Sequence, residues 1–314
     1  MNSTKQNLKE LLKKHQQLLR TNDRLTLFFQ DEKNNSFSNS DQKFPTVELN
    51  DNILNYAQEH VFKILLNNEE PEEEIIIHSL SLLIDIIIYH GRNTLFMNSN
   101  DIIYRLIELL YHNNVQIVNL TLNAIFHLSQ GSRNPIDLLI ENDLLSILYS
   151  ILEMTDEFGQ IFHQKILSII SCIAFLGEEE SHTIIEKEFV TWICNFFDFL
   201  DINGQISSAF VISNLLMKAN VNDFGKIINP KTFSILSQFL DEDYEPRFHR
   251  CILDGLLNCV STLSIENSQF CELFLDQFFL NSIKSLTSSS DERTSVLSQQ
   301  FLKEISSKHN LKDS

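Results

Sequence analysis

Acid, hydroxyl and imidazole stand side by side once in this chain, at Glu178-Glu179-Glu180-Ser181-His182. These are the residue types that a nucleophile, its base and an orienting carboxylate require. The run follows the end of an apolar helical stretch, so it reads as a solvated loop, and the residue types alone assign it no catalysis. No GxGxxG, GxxxxGK[ST], GxSxG or HExxH string occurs anywhere. Of the ten histidines, His78, His90, His127 and His163 fall inside helical stretches with no dense neighbourhood of metal-ligand types. Structural or groove-lining roles follow for them, and neither a metal nor a cofactor is expected. The five cysteines are odd in number and contain no CxxC pair, which reads as free, buried thiols in a reducing compartment. Cys251 and Cys259 share one helix at a separation of about 12 Å along its axis, too far to bridge. The expectation is a binding protein, not an enzyme.

The elements that position these residues are helices. The chain has 314 residues with only 7 Gly and 5 Pro, so turns that β-sandwiches or phosphate-cradling loops need are scarce. Its net charge of −18 repels phosphate backbones and anionic membranes, and neither nucleic acid nor membrane is expected as a partner. The most apolar stretch, 75–89, is shorter than the ~20 residues of a membrane span and is broken by His78, Ser79, Ser81 and Asp85. The polar start, with no apolar leader, predicts a cytoplasmic or nuclear protein. Residues 1–34 carry seven basic and four acidic side chains, a net of +3, and Leu8, Leu11, Leu12, Leu18 and Leu19 recur at helical spacing. Three regions follow: a basic amphipathic helix over 1–33, a flexible polar linker over 34–47, and a helical repeat domain over 48–314.

Within that last region one octet reappears, as Leu122-Asn123-Ala124-Ile125-Phe126-His127-Leu128-Ser129 and as Leu257-Asn258-Cys259-Val260-Ser261-Thr262-Leu263-Ser264. Weaker copies start at Ile84, Ile170 and Ala209, and the spacing falls around the roughly 40–47 residues of armadillo or HEAT units. A second apolar helix precedes each copy, at 102–110, 144–152, 192–200 and 233–240. A helix pair cannot bury both faces alone, so the pairs must stack into a continuous core. The predicted fold is an all-α, armadillo/HEAT-type right-handed solenoid of about five to six repeats, closed by the more polar pair 278–286 and 295–306.

The unit 102–145 resembles an armadillo repeat. Ile117, Thr121, Ala124, Ile125 and Leu128 fit its third helix, 131–137 fits its turn, and Glu141-Asn142-Asp143-Leu144 fits its Glu-x-Gly step with Asp143 in the Gly place. Within that superfamily, Ser208-Ala209-Phe210-Val211-Ile212-Ser213-Asn214-Leu215 is similar to the Ala-x-Trp-x-(Leu/Ile)-x-Asn pattern of importin-α, the adaptor for nuclear localisation signals. Phe210 stands in the Trp place and Asn214 in the Asn place. The corresponding pairs in other units, Asp85 with Tyr89, Asn123 with His127, Ser171 with Phe175, and Asn258 with Thr262, do not keep both residue types.

The resemblance implies a concave third-helix surface that binds basic peptide or protein cargo. Asn214 would hold the cargo backbone, Phe210 and Phe175 would pack on lysine stems, and Asn123, His127 and Asn258 would add polar contacts. It further implies an importin-β-like carrier held by Lys9, Lys13, Lys14, Arg20 and Arg24 in the basic segment. The alternative reading is a general armadillo scaffold or chaperone cofactor that grips a folded protein and has no transport role.

Overall fold

The computed structural model describes residues 58–59, 61–67, 71–90, 100–131, 133–154, 160–240, 244–263 and 273–310. The basic segment, with Lys9, Lys13, Lys14, Arg20 and Arg24, the linker and the boundary at residue 48 lie outside them. By packing, the chain divides into two units, Met1–Tyr89 and His90–Ser314.

In the first unit Val61 and Leu65 are buried. Helix α1, Glu73–His90, opens with Glu73 and Glu74 in its first turn, where carboxylates oppose the positive helix end. Its buried residues Ile76, Leu80, Leu83 and Ile87 recur at the three-to-four spacing of one helix face.

The second unit repeats one theme, two short helices followed by a long one. It opens with α2 (Asn100–Leu109) and α3 (Val115–Ser129), continues with α4 (Arg133–Glu141), α5 (Leu144–Leu152) and α6 (His163–Ala174), and then with α7 (Glu178–Glu186), α8 (Phe189–Phe196) and α9 (Ile202–Lys218). The next turn of the theme is α10 (Phe224–Ile227), α11 (Pro230–Gln238) and α12 (Pro246–Thr262), and the last described helices are α13 (Gln277–Leu286) and α14 (Glu292–Asn310). No strand occurs among the described residues. The octet copies begin in the longer helices α1, α3, α6, α9 and α12, those starting at Ile170 and Leu257 running past the helix ends at Ala174 and Thr262, and the apolar helices expected before them are α2, α5, α8 and α11. Two expected loops are corrected. Residues 178–182 form the first turn of α7, because Glu178, Glu179 and Glu180 stabilise a helix N-terminus. The turn over 131–137 gives way to α4 at Arg133.

Side-chain caps set where helices begin: Asn114 accepts from the Gln116 and Ile117 amides, Asp201 from Gly204, and Asn229 forms a capping box with Thr232. Two helices start instead after a residue in the left-handed region, Asp143 (φ 64°) before α5 and Glu188 (φ 62°) before α8.

The long helices α3, α6, α9, α12 and α14 pack side by side as a ladder, each against the next. Helix α9 is the most enclosed, and Gly255 of α12 meets it so closely that a Cβ there would lie 2.5 Å from the Ser213 carbonyl oxygen. Behind the ladder the aromatic rings interlock. Phe239 meets Phe197 (6.4 Å), Phe248 (5.1 Å) and Tyr244 (5.1 Å), so successive repeats share one apolar layer. Each such ring, fully buried, contributes about 1.5–3 kcal/mol.

Candidate peptide-binding surface

Adjacent repeats are joined by polar contacts along two lines. The first runs through the short helices. Arg133 pairs with Glu180, His182 Nδ1 lies 2.9 Å from Asp223 Oδ1, Lys226 pairs with Glu186, and Lys231 Nζ reaches Asp198 at 2.7 Å. This line absorbs the acid, hydroxyl and imidazole run. Glu180 and Ser181 are buried, and the Ser181 hydroxyl donates to the Ala174 carbonyl at 2.9 Å, not to His182. The structure does gather His182, Glu186 and Asp223 closely enough to share one cation, a grouping that 41 residues of sequence separation hid from the metal expectation. There the ammonium of Lys226 already stands on Glu186 and holds its carboxyl below the usual carboxylate range.

The second line runs between the long helices of the ladder. Lys165 Nζ of α6 donates to Asn119 Oδ1 of α3 at 2.8 Å. Asn214 Nδ2 of α9 donates to the Ser171 carbonyl (2.9 Å) and hydroxyl (3.0 Å) of α6, while Cys251 Sγ of α12 donates to Asn214 Oδ1 at 3.3 Å. Asn258 Nδ2 donates to the Leu216 carbonyl at 2.9 Å. Burial pushes the Cys251 thiol up to about 12. Burial also raises the Cys172 thiol; at Cys251 the Asp254 charge adds to the rise, and at both cysteines the Arg247 charge opposes it.

The expected site residues divide on this surface. Asn214, expected to hold a peptide backbone, is 7% exposed; its amide donates to Ser171 of α6 and its carbonyl accepts from Cys251 of α12. Asn258 is likewise turned onto the end of α9. Phe210 rests on Phe248, ring centroids 4.4 Å apart, half inside the aromatic layer. Phe175, by contrast, is 54% exposed, and Lys218 Nζ stands 5.0 Å from its ring centroid. Asn123 and His127 are half-buried on α3, and burial, then the nearby Lys165 charge, lowers the His127 pKa.

Three solved structures of similar shape are designed proteins. One described as a designed armadillo repeat protein superposes with a TM-score of 0.66 at 19% identity, over 79% of this chain and 99% of that one. A second, a designed armadillo repeat protein in complex with the peptide (KR)4, gives 0.64 at 19% identity over 79% and 99%. A third, described as computationally designed for modular peptide recognition, gives 0.63 at 19% identity over the same shares. The chain has the armadillo-repeat fold. No family profile and no curated protein matches its sequence.

On the armadillo ladder, sequence reasoning missed Lys165, Lys218 and Arg247. Their signal was present as an absence. In a chain with 42 Asp and Glu, the stretches 115–130, 160–175 and 202–221 contain none.

Proposed function

We propose that the protein is a non-enzymatic scaffold that binds an extended segment of another protein along the solvent face of its armadillo ladder. The observation that carries this reading is Phe175, a large ring more than half exposed at the C-terminal end of the ladder helix α6, where burial by a ligand would recover apolar area. Hydroxyls and carboxamides on the same ladder, at Ser168 of α6 and Asn123 of α3, suit a peptide backbone, which presents donors and acceptors alternately. Structural neighbours described as peptide-recognising support the same reading.

A second reading, an importin-α-like adaptor for basic localisation signals handed to an importin-β-like carrier, draws support from the neighbour that holds (KR)4. Against it stand the commitment of Asn214 to the scaffold and the cations on the ladder.

The test is selection from a displayed peptide library on the full chain, followed by Phe175→Ala. Peptides that lose affinity by about tenfold or more in the variant, roughly 1.4 kcal/mol, uphold a ladder site. Selected peptides indifferent to Phe175→Ala, or none at all, overturn it.

A further inference from the structure

The charge on the ladder is opposite in sign to the charge on the molecule. The chain is −18 overall, yet α3, α6 and α9 carry no carboxylate on any face, and their charged residues are Lys165 and Lys218. Helix α12 adds Arg247, Arg250 and Asp254. Of these, Arg250 is matched by Asp291 at 2.9 Å and Asp254 by Arg293 at 3.6 Å. Among the described residues Lys165, Lys218 and Arg247 have no carboxylate partner. The three stand on successive rungs, one each on α6, α9 and α12. Lys165 is half-buried, and burial lowers its pKa; an ammonium so placed gains most from a counter-charge.

We propose that the segment gripped by this ladder is acidic, a stretch of a partner protein whose Asp or Glu side chains meet Lys165, Lys218 and Arg247 while an apolar side chain covers Phe175. The proposal rests on the scaffold reading above and names its partner's chemistry. Lys165 and Arg247 stand in the first turns of α6 and α12 and Lys218 in the last turn of α9, so an extended segment, advancing about 3.4 Å per residue, meets them obliquely and needs more residues between contacts than the helix spacing of about 8–10 Å alone requires. The molecule's negative charge does not forbid this. At 0.15 M salt the Debye length is about 8 Å, which screens the carboxylates of the short helices and leaves contact pairs on the ladder. Like-charge contact disfavours a lysine-rich peptide, and it also disfavours the chain's own basic residues 1–34 as the occupant.

The experiment uses the full chain and three fluorescent peptides made of repeated Glu-Leu-Ser, Gln-Leu-Ser and Lys-Leu-Ser triplets, titrated at about 0.15 M salt. The Glu peptide is expected to bind at least about tenfold more tightly than the Gln peptide, with the Lys peptide weakest. The double reversal Lys218→Glu with Arg247→Glu, at two exposed or half-exposed positions that cost the core nothing, is expected to invert that order. Preference for the Lys peptide, or a Glu preference that survives the reversal, overturns the acidic partner and leaves the scaffold reading standing. Failure of all three, together with failure of the library selection, overturns both. A single-stranded oligouridine that displaces the Glu peptide and binds more tightly overturns it in favour of nucleic acid. Self-association that the reversal abolishes overturns it in favour of a second copy of this chain.

Discussion

Asn214 of α9 and Ser171 of α6 are bonded twice, the carboxamide donating to both the carbonyl and the hydroxyl of Ser171. The same side chain accepts from Cys251 of α12, so one residue bridges three successive rungs. The residue type that suits a peptide backbone equally suits the gap between two helices, and here it holds the ladder together.

That arrangement predicts that Asn214→Ala lowers stability by about 1–3 kcal/mol, the cost of leaving the Ser171 groups and the Cys251 thiol without their partner. A shift of the urea midpoint at unchanged slope would show it. Unchanged stability with weakened peptide binding would instead return Asn214 to the ligand.

Gly255 lies where no side chain fits. A methyl group there would meet the Ser213 carbonyl oxygen at 2.5 Å and the Leu216 Cβ at 3.2 Å. Backbone on one side cannot move aside as a flexible side chain does, so α9 and α12 must separate. Gly255→Ala is expected to destabilise by about 1–3 kcal/mol despite its better helix propensity, read as a lower thermal midpoint. A stabilised variant would refute the close approach.

Glu188 pays the strain of a left-handed residue ahead of α8, at about 1–3 kcal/mol. Glycine removes that strain and costs roughly 0.5–1 kcal/mol of chain entropy in return, so Glu188→Gly is expected to stabilise by on the order of 1 kcal/mol. Asp143 shares the conformation, but its carboxylate accepts from Ser146 at 2.5 Å and lies 3.7 Å from Lys187. Asp143→Gly is therefore expected to gain less. Denaturant titration of the two variants side by side orders them.

His163 lies edge-on to Trp192, the sole tryptophan, with ring centroids 5.1 Å apart. Burial lowers its pKa from 6.5 against the opposing pull of a backbone bond at Leu152, and burial lowers His127 in the same direction. Below about pH 6.5 the unfolded chain takes these protons before the folded one does, so the stability they confer is present above pH 6.5 and is lost as pH falls toward their folded values. Trp192 emission is expected to change at a midpoint below 6.5, and His163→Phe to remove that step. A midpoint above 6.5 would mean that the histidine is charged in the fold.

Helical period and the recurring octet were enough to read an all-α repeat protein, because each repeat buries its apolar residues against the next at intervals a linear chain records. The acidic run at 178–180 misled as a loop because carboxylates mark both solvated turns and helix starts, and only the packed helix decides which. Residue types do not state their partners. Asn214 and Phe175 stand at the same place in their repeats, yet α12 packs on the first and the second is exposed. The carboxylate-free stretches lay in the sequence all along. It took the side-by-side packing of α6, α9 and α12 to bring Lys165, Lys218 and Arg247 onto successive rungs, since residues far apart in the chain become neighbours only when the helices that carry them pack.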